Sequence, residues 1–293
     1  MTQPQRIGFI GLGMMGTPMT ACLAKAGFEL FLADADAGRL RDVQATLNAS
    51  ALTAENAKSL DILITMLPNS DIVERVLLGE DGWAASLAPQ AVVIDMSSSE
   101  PARSRELGQR LKTLNLHYLD APVSGGVKRA VDGSLAILVG GDAEVLQRGR
   151  PVLDAMGKNI LHIGDAGSGH AAKALNNFVS AAGLMATVEA LHVAKRFGID
   201  PGVMVDVLNA SSGGSNTSLN KARQFMLSGT FGSGFSMQLM NKDLKIAKGL
   251  SDALDYPMLF GQSAIKVWND VAQDATPATD HTEMYRMLAR EGE

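Results

Sequence analysis

Residues 6–19 read RIGFIGLGMMGTPM, and no other stretch of the 293-residue chain limits its fold so strongly. A short apolar run (Ile7, Phe9, Ile10) breaks into Gly11-x-Gly13-x-x-Gly16 and then enters an amphipathic stretch, residues 18–27. Strand, glycine turn and helix in that order form the opening step of a doubly wound parallel sheet. Each glycine has its own task. Gly11 allows the tight turn, Gly13 lets backbone approach a pyrophosphate, and Gly16 lets the helix pack closely on the strand. The helix then points unpaired N–H groups and its positive dipole end at the phosphates. The glycine spacing alone is common in turns that bind nothing. With the flanking strand and helix it predicts a dinucleotide site on Gly11, Leu12, Gly13, Met14, Met15 and Gly16.

Apolar runs recur at residues 28–33, 61–66 (DILITM), 91–94, 116–119, 135–139 and 159–163, most of them separated by helical patterns. That alternation predicts an open, mainly parallel α/β sheet. The character changes at Gly164. Residues 168–197 form one long run with Gly183 as its only breaker, rich in small residues suited to close helix packing (Ala171, Ala172, Ala174, Ser180, Ala181, Ala182, Ala186). Helical patterns follow over 201–209, 219–227, 237–254, 258–274 and 281–290, with no strand candidate beyond residue 165. The expected architecture is α/β: a Rossmann-type doubly wound domain over residues 1–165, then an all-helical substrate and oligomerisation domain over 166–293. A long helix over 166–197 joins the two.

A hydrophobic content of 46% and a charged content of 19% describe an ordinary globular chain. The net charge is -5 and no basic run occurs, which argues against nucleic acid as a partner. Any anion site must therefore be local. Cys22 is the only cysteine, so no internal disulfide can form; we read it as a small helix residue in a reducing compartment. No long uninterrupted apolar stretch occurs, which leaves no membrane span and a cytoplasmic location as the expectation. The five histidines show no paired ligand spacing, so no metal is expected.

Asp34 ends the second apolar run, 18 residues past Gly16, where an acidic side chain accepts hydrogen bonds from the adenosine ribose and repels a 2′-phosphate. The next residue is Ala35 rather than Arg, so NAD is favoured over NADP, although Arg39 and Arg41 downstream could soften the preference.

Three further segments carry polar groups after the strand ends. Asp120-Ala121-Pro122-Val123-Ser124-Gly125-Gly126 offers a hydroxyl and backbone donors for a carboxylate, though Ser-Gly-Gly alone reads as a turn. In GSGHAAKALNN, Lys173 and Asn177 are four apart on one helix face, and small apolar neighbours surround the lysine. A cation there suits acid–base work, whereas a solvated lysine is the ordinary alternative. The third segment, GFSMQLMNKDL, places Lys242 and Asp243 near a helix start; alone it reads as a solvated pair.

Together these segments resemble the β-hydroxyacid dehydrogenases, which include 3-hydroxyisobutyrate dehydrogenase, tartronate semialdehyde reductase and the glyoxylate/succinic semialdehyde reductases. The resemblance runs from Arg6 to about Ala272 and rests on GFIGLGMMGTPM, ITMLP, DAPVSGG, GSGHAAKALNN and MNKDL. It implies hydride transfer between a nicotinamide and a small 3-hydroxy acid or semialdehyde. Lys173 falls on the lysine that exchanges the proton with the substrate oxygen. Ser124, Gly125 and Gly126 fall on the carboxylate loop, Asn177 on the amide that orients substrate, and Phe235 on the pocket lining. Met66, Leu67 and Pro68 match the loop under the adenosine side of the cofactor. Ser98 stands beside the nicotinamide ribose where Thr is usual, and Lys242 and Asp243 match a pair that closes on the cofactor. The resemblance also implies a homodimer or homotetramer.

Two departures bear on substrate: His170 replaces a frequent Gln, and Gly214 replaces an Arg that often follows Ser-Ser-Gly. Lys128 could supply replacement charge. Imine reductases share the glycine loop but usually carry Asp or Tyr at the lysine position. A non-catalytic NAD(H) sensor would need neither Lys173 nor the anion loop.

Overall fold

In the computed structural model, which describes residues 5–289, the chain divides into two compact units, Met1–Lys173 and Ala174–Glu293. The first unit is built from β1 (Arg6–Ile10), α1 (Gly16–Lys25), β2 (Glu29–Ala33), α2 (Ala37–Leu47), β3 (Ser50–Ala51), α3 (Ala54–Ala57), β4 (Ile62–Thr65) and α4 (Ser70–Leu78). It continues through β5 (Val92–Asp95), α5 (Pro101–Thr113), β6 (His117–Asp120), β7 (Val123–Ser124), α6 (Gly126–Val131), β8 (Leu135–Gly141), α7 (Ala143–Met156) and β9 (Gly157–Gly164). Among the described residues, nine strands form one sheet in the order β3-β2-β1-β4-β5-β6-β8-β7, with β9 pairing β8.

The pairs from β3 through β6 are parallel, whereas β8 runs antiparallel to both β6 and β7. Burial on both faces explains the continuous apolar runs. Ile7, Phe9, Ile62, Ile64, Val92 and Ile94 enter one core cluster. Ile10, Leu63 and Val93, at alternate positions, enter the other. Each buried Ile or Leu contributes roughly 1.5–3 kcal/mol, so the two clusters dominate the stability of this unit. The sequence did not mark β3 or β7, because two-residue strands carry no periodicity. Ser124 therefore lies at a strand end rather than in a plain loop, held by its pairing with Ala136.

The helix α8 (Ser168–Phe197) runs through Gly183 without a break. Its first turn belongs to the first unit, because the Gly167 and His170 amides donate to the Asp120 carboxylate at 2.7 and 2.8 Å. By spatial contacts the two units divide inside α8, after Lys173. By length and mean composition alone α8 is long and apolar enough to cross a membrane, a property that buried core helices share. Its Ala181, Leu184, Val188 and Leu191 are buried in the second core.

The second unit adds α9 (Pro201–Ala210), α10 (Asn216–Asn220), α11 (Met237–Ala253), α12 (Leu259–Ala272) and α13 (Met284–Met287). Trp268 is fully buried at its centre and donates from Nε1 to the Ala181 carbonyl. Two helical expectations are corrected here. Residues 219–227 are not one helix. Ser215 caps α10 through a capping box, Lys221 leaves helical geometry at φ -127°, and a π-helical turn over Ala222–Leu227 follows. Residues 281–290 form a 3-10 turn, His281–Glu283, and then α13, because Asp280 caps a short turn; Arg290 lies outside the described residues.

Candidate functional site

Strand order reverses between β1 and β4, so the loops after these two strands diverge at the C-terminal edge of the sheet, where open α/β folds bind ligands. The glycine loop stands there. A Cβ at Gly11 would lie 2.3 Å from the Met66 carbonyl oxygen, and one at Gly16 only 1.8 Å from the Gly11 carbonyl oxygen. A Cβ at Gly13 would meet nothing within 4 Å. Gly11 and Gly16 are thus demanded by the protein itself, and Gly13 leaves space for something else. Helix α1 has no side-chain cap at its N-cap residue Met15; the Thr17 amide already donates to the Gly13 carbonyl and Pro18 has no N–H, which leaves the Gly16 amide of the first turn for an anion. A cavity of about 630 Å³ opens against Gly13, Met14, Thr17, Pro18 and Arg39. These features fit a dinucleotide pyrophosphate and its adenosine end. The Leu12 side chain is wholly buried in the core, and its carbonyl accepts from Thr17 Oγ1 at 2.6 Å.

Asp34 ties the loop to β2. Its Oδ2 accepts from the Leu12 amide at 2.6 Å, and its Oδ1 accepts from the Asp36 amide at 2.8 Å. Helix α2 is capped by Asp36, whose carboxylate accepts from Gly38 and Arg39 and is held below its ordinary pKa by those amides. Arg39 pairs with both Asp34 and Asp36 at 3.5 Å, so its charge is already engaged.

After β4, Met66 and Leu67 are partly buried and Pro68 is exposed; the Leu67 amide donates to Ser97 Oγ at 2.8 Å. Ser97 and Ser99 turn inward, while Ser98 between them stays half-buried. Sequence reasoning missed what they turn toward. Asp95, wholly buried, accepts from Thr65 Oγ1, the Ser97 amide and Ser99 Oγ at 2.8–3.1 Å. His170 is equally buried. Its Nε2 lies 3.1 Å from the Ser97 carbonyl oxygen, which can only accept, so Nε2 carries a hydrogen. Its Nδ1 lies 2.8 Å from Ser104 Oγ. The His170 ring thus pins the first turn of α8 to the loop after β5. Acidic residues closing two buried strands, VVID and HYLD, were the signal available in the sequence.

At the end of β7, Gly125 and Gly126 take φ of +135° and +69°, values that strain any residue with a Cβ. They turn the chain from Ser124 into the short helix α6.

In the second unit, Asn177 and Asp243 come together. Asn177 Nδ2 donates to Asp243 Oδ2 at 2.5 Å, and both residues are buried. Lys242 Nζ lies 4.0 Å from Asp243 Oδ1; burial lowers the lysine pKa, and Asp243 partly opposes this. Phe235 packs edge-on against His281 with ring centroids 5.7 Å apart. His281 opens the 3-10 turn after its cap Asp280 and is buried beside Lys221. Lys173, at the C-terminal limit of the first unit, shares a face of α8 with Asn177, one turn on. Among the described residues no group of three or more His, Cys, Asp or Glu side chains could hold a metal ion.

Residues 6–164 match the family model for the NAD binding domain of 6-phosphogluconate dehydrogenase, and residues 167–288 match that for the NAD-binding domain of NADP-dependent 3-hydroxyisobutyrate dehydrogenase. The 2-(hydroxymethyl)glutarate dehydrogenase of Eubacterium barkeri is 38% identical, covering 83% of this chain and 81% of that protein. The NAD-dependent L-serine dehydrogenase of Pseudomonas aeruginosa is 35% identical, covering 97% of this chain and 98% of its own length. The solved 3-hydroxyisobutyrate dehydrogenase of Mycobacterium tuberculosis, described with L-serine, superposes with a TM-score of 0.91 at 32% identity, covering 98% of this chain and all of that one. With the glycine cradle and the helical second unit already in view, these matches show that the chain belongs to the β-hydroxyacid dehydrogenase family, NAD(P)-dependent oxidoreductases acting on hydroxyl groups.

Proposed function

We propose that the protein oxidises a small 3-hydroxy acid, or reduces the matching semialdehyde, with Lys173 as the proton-transfer group and NAD as the preferred cofactor. The polar pair on α8 carries this reading: Lys173 and Asn177 share one helix face, one turn apart, with Ala171, Ala172, Ala174 and Leu175 around the lysine. In oxidation, the Lys173 amine takes the hydroxyl proton as the carbonyl forms; in reduction, the Lys173 ammonium returns it to the oxygen. Ser124 Oγ and the amides of Gly125 and Gly126 hold the carboxylate, which fixes the reacting carbon in one orientation. Asn177 has one Nδ2 hydrogen committed to Asp243, and its other is directed to the substrate. Lys242 and Asp243 close on the cofactor, Phe235 lines the pocket, and Met66, Leu67, Pro68 and Ser98 flank the cofactor's two ribose ends. When bound, the nicotinamide supplies the hydride acceptor.

The NAD preference follows from Asp34, whose buried carboxylate would repel a 2′-phosphate, and from Arg39 being paired with it. A homo-oligomer is supported by the opposite face of α8, where Leu175, Val179, Val193 and Phe197 leave between 43% and 84% of their surface exposed in one stripe. The 2-(hydroxymethyl)glutarate and L-serine relatives define the range of candidate substrates. The test is an oxidation screen with NAD and NADP against L-serine, 3-hydroxyisobutyrate, 3-hydroxypropionate, glycerate, threonate, 4-hydroxybutyrate and 2-(hydroxymethyl)glutarate. Turnover of at least one acid, faster with NAD, is expected. Binding of NADH with no acid oxidised overturns the assignment.

A further inference from the structure

One cation of the second unit has only neutral partners. Lys221 Nζ lies 3.0 Å from His281 Nε2 and 3.4 Å from Ser180 Oγ, and among the described residues no carboxylate comes within ion-pair distance of it. Its nearest acid, Asp280, is occupied elsewhere: the carboxylate accepts from the Gly234 and Thr282 amides, from Thr282 Oγ1 and from Ser233 Oγ.

The imidazole sets the geometry. His281 Nδ1 lies 2.9 Å from the Phe235 carbonyl oxygen, an acceptor only, so Nδ1 carries the hydrogen and Nε2 offers its lone pair to Lys221. One ammonium hydrogen is therefore fixed on His281 and a second points to Ser180, which leaves the third for a ligand. Burial lowers the Lys221 pKa and Asp280 only partly opposes it, so a carboxylate at this point would relieve an unbalanced charge.

Ser180 lies three residues after Asn177 and seven after Lys173, on the same face of α8, which places it about 10 Å along the axis from the lysine. We propose that Lys221, seated between His281 and Ser180, is a carboxylate subsite that reads a second, distal acid group on the substrate. The substrate class is then a hydroxy acid with two carboxylates, an inference that rests on the dehydrogenase reading above. One cation with one hydroxyl matches a monoanion; a phosphate, nearly dianionic at neutral pH, calls for more positive charge.

The test has two arms on protein saturated with NAD. In the first, calorimetric titration with glutarate and with butyrate should show glutarate binding at least tenfold tighter. Lys221→Met and Lys221→Gln should abolish that difference and Lys221→Arg retain part of it, with thermal melts confirming that each variant is folded. In the second, the ratio of kcat/KM for 2-(hydroxymethyl)glutarate over 3-hydroxyisobutyrate should fall at least tenfold in Lys221→Met, mainly through KM. Equal glutarate and butyrate affinities in the parent protein, an unchanged ratio in the variant, or inorganic phosphate displacing glutarate at equal concentration would overturn the subsite. If no hydroxy acid is oxidised at all, the dehydrogenase reading fails, and the glutarate titration still decides whether Lys221 holds a carboxylate.

Discussion

Asn177 Nδ2 donates to Asp243 Oδ2 at 2.5 Å, and this bond joins α8 to α11 across 66 residues of sequence. A buried carboxylate left without its donor costs about 1–3 kcal/mol. A double-mutant cycle with Asn177→Ala and Asp243→Ala, read by urea unfolding, should therefore give a coupling energy of about 1 kcal/mol or more. Strict additivity would remove the bond from the structure's energetics.

The glycine loop separates stability from binding. Gly13→Val should fold with stability within about 0.5 kcal/mol of the parent, because its side chain meets open space. It should nevertheless weaken NADH binding tenfold or more. Gly16→Ala should instead destabilise by about 2–3 kcal/mol, since its Cβ would fall 1.8 Å from the Gly11 carbonyl oxygen. Thermal melts and NADH fluorescence titrations of the two variants distinguish these effects. A stable Gly16→Ala, or a Gly13→Val that binds NADH normally, would contradict the assignment of the loop.

Asp280 makes stability depend on acid pH. Burial pushes its pKa up, but hydrogen bonds from His281, Thr282 and Ser233 outweigh that and hold it well below the ordinary 3.8. A depressed carboxylate stabilises the fold above its unfolded pKa, and this contribution is lost as pH falls toward the folded value. Asp280→Ala should thus be less stable than the parent by about 2 kcal/mol near neutrality. The gap should shrink as pH falls below 3.8. A gap that stays constant into the acid range would assign the effect to packing.

The sheet was legible because its central strands are buried on both faces: runs such as DILITM cannot be satisfied at a surface. The same reasoning found the uninterrupted α8. What stayed hidden depends on contacts far apart in sequence. Ser124 becomes a strand residue only because β8 returns antiparallel beside it. Asp120 captures the first turn of α8 through a pairing across 47–50 residues that no local pattern announces. His170 drew notice as a departure from the family pattern, yet its role as a clamp needed Ser104 and Ser97 in view. Asp34 was legible as an acid at a strand end, but its bond to the Leu12 amide was not. Lys221 carried no signal at all, because its partners Ser180 and His281 lie 41 and 60 residues away.

Lys173 is the residue on which the proposed chemistry turns. Lys173→Ala, assayed in the oxidation direction with NAD and the best substrate from the screen, should lose about 10²–10⁴-fold in kcat, the usual contribution of a general acid or base. NADH affinity, measured on the same preparation, should stay within about threefold of the parent, since no cofactor contact is assigned to that side chain. Retained turnover alongside intact NADH binding would contradict the mechanism outright.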